Sequence, residues 1–267
     1  MTVHEAALSR AEPTAAMIDA VRFSDAAGIR PAAEALRETV RQLCGLRTAV
    51  THNVATREPM RDGEGAVLAT SVFGFRESEP RWWEAPQLAL SSPIVHACRV
   101  EAEPFWCNAD GFHTRLANPL LDAIDRQDFR ARAMTPAALV VPIHLPFGQI
   151  GAASFLSPDP EQEDLSDAYA HAADALAILA HAFVQSYVKV TARTRMTLGG
   201  VSLTKREVEC LRWAAAGKTN DEIGLILGLQ RTTVRFHIRS ASIKLDAVNR
   251  DQTLFKAAQL GFLGMVR

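Results

Sequence analysis

The sequence contains no run of 18 apolar residues, so no segment is long enough to cross a bilayer as a helix. It opens Met1-Thr2-Val3-His4-Glu5, without a basic stretch followed by an apolar one. A secretory signal is therefore not expected, and a cytoplasmic location is. Cysteine is scarce. Cys44, Cys98, Cys107 and Cys210 are the four; none forms a C-x-x-C pair and no Cys/His cluster has zinc spacing. Buried, unreactive thiols in a reduced compartment are the expectation, with no metal site and no cofactor. Internal repeats and low-complexity blocks are missing. So are H-E-x-x-H, G-x-S-x-G and a Walker lysine loop, so no catalytic residue is expected and the chain does not read as an enzyme. Charge of one sign is also lacking: 29 Lys plus Arg face 30 Asp plus Glu, for a net charge of −1. Taken whole, that balance argues against a nucleic-acid binder.

What is present is an ordinary folded composition. With 48% hydrophobic and 22% charged residues over 267 positions, the chain is not disordered and has room for one large domain or two modest ones. Residues 1–12 are small, polar and Ala-rich, and read as a loose arm. Two helical stretches follow; in the second, Ala33, Leu36, Val40, Leu43 and Cys44 recur at spacings of three and four. Segments 48–55 and 66–73 read as strands, with Arg61-Asp62-Gly63-Glu64-Gly65 as the turn between them. The stretch from 79 to 132 is mixed and holds Trp82, Trp83 and Trp106, three of the four tryptophans. Runs 139–145 and 150–156 read as a hairpin joined through Pro146-Phe147-Gly148, which makes Gly148 and Gly151 turn residues, not a phosphate loop. Pro142 inside the first run marks it as an edge or bulged strand. After Ser157-Pro158-Asp159-Pro160 a long helix is expected, striped by Leu165, Tyr169, Ala172, Leu176, Leu179, Phe183 and Tyr187. That stripe suits its own sheet, a second subunit, or both. Residues 191–200 lose the period and read as a linker between domains at 13–190 and 201–267.

Charge divides at that linker. From Val201 onward 11 Lys and Arg stand against 6 Asp and Glu, which is +5; the residues before it carry −6. A small basic module follows a larger acidic one. In it, Thr204-Lys205-Arg206-Glu207 is a capping box, and its helix ends at Gly217. Thr219-Asn220-Asp221-Glu222 is a second capping box two residues on, opening a helix with Ile223, Ile226 and Leu227 that stops at Gly228. A third helix begins near Arg231, with Val234, Ile238, Ala241 and Leu245 on one face; a fourth spans roughly 251–260. Two helices joined by a short glycine turn form a helix-turn-helix. Arg235 and Arg239, four apart, share a face suited to bidentate guanine contacts. Lys218, Thr219 and Asn220 sit at a helix start, where phosphate contacts are favoured. A basic solvated helix on a four-helix interaction module is the alternative.

The run Leu203-Thr204-x-Arg206-Glu207-x-Glu209-x-Leu211-x-Trp213-x-Ala215-x-Gly217-Lys218-Thr219, with Glu222-Ile223, Thr233-Val234, His237 and Lys244-Leu245, resembles the DNA-binding domain of the LuxR family. Glu207, Leu211 and Gly217 match its three best-known positions, and with Val234 they are structural. The resemblance implies that Lys218, Thr219, Asn220, Gln230, Arg231, Thr232, Thr233, Arg235 and Arg239 face double-stranded DNA. Gln230 departs from the family's Ser or Thr; losing that cap costs about 1 kcal/mol and leaves the side chain free to meet DNA.

The N-terminal order of helices, strands, Trp-rich middle and hairpin plus long helix is similar to the acyl-homoserine-lactone-binding domain of quorum-sensing LuxR proteins. The resemblance is best from Ser92-Pro93-Ile94-Val95 to Pro160. It implies an α+β chain: an α/β/α sandwich around an antiparallel sheet, then an all-α four-helix module. It also implies a pocket. Trp106, in Pro104-Phe105-Trp106, matches the lactone-stacking tryptophan, and Ser154 a pocket hydroxyl. Ser92-Pro93 replaces the family's Asp-Pro, so the anionic acceptor of the ligand amide is absent. The ketone-binding tryptophan falls at Glu79, close to Trp82 and Trp83, and Phe75 replaces a tyrosine. Phe75, Trp82, Trp83, Ser92, Phe105, Trp106 and Ser154 are thus the candidate ligand residues. The expected function is a transcription regulator that binds a small apolar signal, dimerises, and reads two promoter half-sites. The alternatives are a ligand-independent regulator and an antagonist or interaction module acting through heterodimers.

Overall fold

The computed structural model describes residues 10–56, 58–76, 78–79, 82–84, 88–191 and 202–263, with the backbone alone at 82, 88 and 89. Most of the expected arm and nearly all of the expected linker lie outside them. The chain forms two compact units, one of residues 1–145 and 149–193 and one whose main body is residues 194–267.

The N-terminal unit opens with α1 (Ala15–Ala20) and α2 (Ile29–Cys44). The buried stripe of α2 is Ile29, Ala32, Ala33, Leu36 and Val40, and the helix ends at Gly45, whose N–H bonds back to Arg41. Strand β1 (Arg47–Thr51) follows. The expected turn at residues 61–65 is present and organised by Asp62. Its buried carboxylate accepts from the N–H groups of Glu64 and Ala66 at 3.0 and 2.8 Å and from Arg30 at 2.6 Å. Beyond it the expected second strand does not form. Val67 makes one isolated bridge to Arg61, and Leu68–Ser71 is a short helix, α3. The apolar residues explain this: Leu68 and Val72, both buried, are four apart, a helical spacing.

Helices α4 (Leu88–Ser91) and α5 (Pro93–Val100) precede β2 (Phe105–Cys107) and β3 (Phe112–His113). Short α6 (Pro119–Asp122) and α7 (Phe129–Ala133) lead into β4 (Ala138–His144) and β5 (Ile150–Leu156). The sheet is antiparallel throughout, in the order β1-β5-β4-β2-β3. Pro142 therefore lies in an interior strand, not an edge strand. Pairing with β2 stops at Val140, so beyond it β4 has β5 alone as a neighbour and a missing N–H breaks no bond on the open side.

Helix α8 (Ser166–Thr191) closes the unit. It starts later than its prolines suggest. Ser157, Asp159 and Asp164 side chains capture the N–H groups of Asp159, Glu161 and Ser166 at 2.7–3.0 Å, holding residues 157–165 in turns. The whole apolar stripe of α8 is buried except Tyr169, which is half-buried. Alternate strand residues feed two cores. Leu139, Val141, Ile143, Ala153 and Phe155 pack with α2 and α8; Phe105, Cys107, Ala138, Val140 and Ala152 pack with α5, Leu121 and Phe129. Helices thus cover both faces of an antiparallel sheet, as expected.

The C-terminal unit is helical: α9 (Lys205–Ala215), α10 (Asn220–Leu227), α11 (Arg231–Lys244) and α12 (Arg250–Gln259). Both capping boxes are formed. Cys210, Leu211, Ile223, Val234, Ile238, Ala241 and Ala257 form its core. Gly224 lets α10 and α11 close up, because a Cβ there would stand 2.6 Å from the Leu229 carbonyl oxygen. Among the described residues no helix is long and apolar enough to cross a membrane.

Candidate ligand cavity and nucleic-acid interface

Between the sheet and α5 the N-terminal unit leaves a cavity of about 600 Å³. Its floor is Ala49 and Thr51 on β1 with Ala152, Ser154 and Leu156 on β5, the residues of one strand face. Ile94, Val95 and Cys98 of α5 form one wall, and the segments around Phe75 and Thr135 the others. Phe75, Trp83, Ser92 and Ser154, four of the expected ligand residues, are brought together around this space. Ser92 is buried and precedes α5 without a side-chain bond to that helix. The Trp82 side chain lies outside the described residues.

Two expected residues are placed elsewhere. Trp106 is not in the cavity wall. It joins the core shared with α2 and α8 and stacks on His113, ring centroids 3.9 Å apart. Phe105 points to the cavity side of the sheet but packs in the core there, edge-on to Phe112 at 5.9 Å. Successive strand residues face opposite sides, so β2 can turn only one of the pair toward the cavity face.

The structure adds polar groups to the wall that the pattern of aromatics did not announce. Arg47 on β1 and Glu79 pair at 3.0 Å, and the guanidinium lies 4.3 Å from the centre of the Phe75 ring. Burial raises the Glu79 pKa, but the bonds from Arg47 and the Arg76 N–H outweigh it, and its carboxyl is held below the usual range. The signal for Arg47 was its period-two relation to Ala49 and Thr51. Cys98, in the α5 wall, has its thiol pushed up to about 12 by burial. The four cysteines are all unpaired; Cys44 is half-buried and the others buried.

In the C-terminal unit a single carboxylate ties the helix pair together. Glu207 is 4% exposed at its side chain and accepts from the Thr204 N–H at 2.7 Å, Ser240 Oγ at 2.7 Å and Lys244 Nζ at 2.8 Å. Burial alone would raise its pKa; these three donors overcome that and hold it at about 2. Glu207 therefore fixes α11 against the start of α9. Leu211 and Val234 are fully buried, and Gly217 takes φ +83° after α9. A second tie runs from Arg250, which donates to the Lys218 carbonyl at 2.7 Å and Asn220 Oδ1 at 3.2 Å. The Asn220 carbonyl oxygen is thus occupied within the unit.

The remaining expected DNA-facing residues lie on α11 and at the start of α10. Gln230 is exposed and makes no side-chain cap bond to α11. Arg231, Thr232, Arg235 and Arg239 are exposed on α11, Thr219 is exposed, and Lys218 and Thr233 are half-buried. Lys218 lies 3.8 Å from Glu222 and Arg231 3.4 Å from Asp221. Arg235 and Arg239 face no carboxylate among the described residues.

Comparison with known proteins agrees with both halves. Residues 33–186 match the autoinducer binding domain, and residues 201–257 match the bacterial regulatory proteins of the luxR family. The chain is 35% identical over 128 residues to the transcriptional activator protein VanR of Vibrio anguillarum, covering 48% of this chain and 52% of that one. It is 38% identical over 148 residues to the quorum sensing-dependent transcriptional regulator RpaR of Rhodopseudomonas palustris, covering 52% and 56%. The chain therefore spans about half the length of the curated relatives it matches. A crystal structure of Escherichia coli SdiA aligns with 87% of this chain and 92% of its own, at 19% identity and a TM-score of 0.42. The chain belongs to the LuxR family of bacterial regulatory proteins, carrying an autoinducer-binding domain ahead of the family's helix-turn-helix region.

Proposed function

We propose that this protein is a transcription regulator whose N-terminal unit binds a small, largely apolar signal and whose C-terminal unit reads promoter DNA. The observation that carries the reading is the cavity of about 600 Å³ inside the region matched by the autoinducer-binding domain. That is the size class of a site for one small molecule. Phe75, Trp83 and Ile94 offer it apolar surface; Ser92, Ser154 and the Arg47–Glu79 pair offer hydrogen bonds. A bound molecule replaces empty space with contacts, stabilises the unit and favours a homodimer. Two copies of α11 then address half-sites about one helical turn apart. On this reading Lys218, Thr219 and Arg231 hold phosphates, while Arg235, Arg239 and Gln230 meet base edges.

A second reading rests on Ser92. A hydroxyl accepts an amide N–H less strongly than a carboxylate, whose charge-assisted bond is worth about 1.5–3 kcal/mol. A regulator that needs no ligand follows from that weakness. Thermal melting of the purified chain against acyl-homoserine lactones of graded chain length separates the two. A ligand at 100 times its Kd adds about 2.7 kcal/mol, a rise of several degrees. An unchanged Tm across the panel supports the ligand-independent reading.

A further inference from the structure

Helix α11 turns one face wholly outward. Its inward stripe is Val234, Ile238 and Ala241, all buried. At 3.6 residues per turn, the direction opposite that stripe falls on Thr232, Phe236 and Arg239 in the first half of the helix and on exposed Ile243 near its end. Phe236 is 67% exposed and meets the neighbouring His237 edge-on at 5.8 Å. Arg235 precedes it, and Arg239 follows one turn later; both are exposed. A single exposed aromatic on a surface is ordinary. This one lies near the centre of the outward face, beside two cations on one flank with no carboxylate opposite them among the described residues, in the first two turns of the helix. Those first turns are the part that a helix-turn-helix inserts into the major groove.

The groove edge of DNA presents one apolar group, the 5-methyl of thymine. A phenyl ring beside two guanidinium groups matches a methyl beside guanine edges and phosphates. We propose that Phe236 is a base-reading residue that packs on the thymine 5-methyl in each half-site, so that an apolar contact distinguishes thymine from cytosine beside the arginine contacts. The inference rests on the DNA-reading role proposed above for α11. A protein partner covering Phe236 is the competing occupant; the flanking positive charge favours a polyanion.

The full-length chain is used to select duplexes from a randomised pool. The tightest duplex is then remade with deoxyuridine in place of each thymine in turn. That change deletes one methyl and leaves the hydrogen-bonding edge intact. A buried methyl is worth about 0.8 kcal/mol, or about fourfold in affinity. One thymine per half-site is expected to lose about that factor with the wild-type chain. Phe236→Ala is expected to bind the thymine and uracil duplexes equally, and Phe236→Leu to keep part of the preference. Circular dichroism melts of both variants control for folding, Phe236→Leu assigns the contact if Phe236→Ala unfolds, and a flat uracil scan of the wild type overturns the proposal whatever the variants do. If no methyl deletion weakens wild-type binding, or if Phe236→Ala keeps the full preference, the proposal is overturned. Continued dependence on Arg235 in that case leaves the DNA-reading role standing. If no duplex is enriched over the pool, both fall.

Discussion

The two units keep their binding capacity in opposite places. The N-terminal unit holds it inside, as a cavity of about 600 Å³ left between a sheet and a helix. The C-terminal unit buries a small apolar core and turns other groups outward, Arg235, Phe236 and Arg239 among them. Charge follows the same division, −6 before Val201 and +5 from it onward, so the chain's −1 is a cancellation. An internal deficiency suits a small apolar molecule, which gains by leaving water. An external excess of donors suits a polyanion, which cannot be enclosed by a module of this size. Field and partner belong to each unit and not to the whole chain.

The comparison breaks most severely at Glu207. Replacing it by Ala leaves Lys244, Ser240 and the Thr204 N–H without their acceptor; because Lys244 is 36% exposed and solvent screens its charge, the cost is about 3 kcal/mol, the low end for a buried pair. Urea unfolding followed by Trp213 fluorescence is expected to shift by that amount while the N-terminal unit keeps its own transition. Acid tests the same carboxylate. Its pKa in the fold is about 2 against an ordinary 4.5, so its contribution is complete above pH 4.5 and is lost as the pH falls through 2. In Glu207→Gln that acid-dependent step is expected to disappear.

Next in size are the outward arginines. Arg235→Ala is expected to cost about 1–3 kcal/mol per half-site in binding the selected duplex, with no change in the melting of either unit. Fluorescence anisotropy against salt measures it, and unchanged affinity and salt slope would sink the DNA-reading assignment. A smaller effect tests the cavity. Ser154→Leu places extra apolar volume where a ligand is proposed to sit. The ligand-free protein is expected to gain about 1 kcal/mol and to lose any Tm response to lactones. A response of full size would place the ligand elsewhere. The smallest effect is chemical: Cys98 and Cys107, whose thiols burial pushes far up, should resist N-ethylmaleimide while half-buried Cys44 reacts first. Mass spectrometry of the labelled peptides reads the order.

Much of the C-terminal unit was legible because its signals are local. A Thr and a Glu three residues apart make a capping box wherever the chain begins to coil, and both boxes formed. The same holds for the β4–β5 hairpin and the buried stripe of α8, where a few neighbouring residues carry the pattern. The N-terminal site was legible in part. Phe75, Trp83, Ser92 and Ser154 meet around the cavity, while Trp106 is turned away by the alternation of a three-residue strand. One residue of register reverses a side chain on a strand, and nothing local sets the register of so short an element.

The sequence by itself determined the domain type at each end, the helix starts and stops, and the split of charge. Those depend on spacing and on residues within a turn or two of each other. Only the tertiary structure decided that Pro142 sits beside an unpaired stretch of an interior strand, that residues 68–71 coil, and that Arg47 meets Glu79 across 32 residues of chain. It also decided which face of the sheet encloses a space. Those outcomes depend on which strands become neighbours, a matter of long-range packing energy that no local window contains.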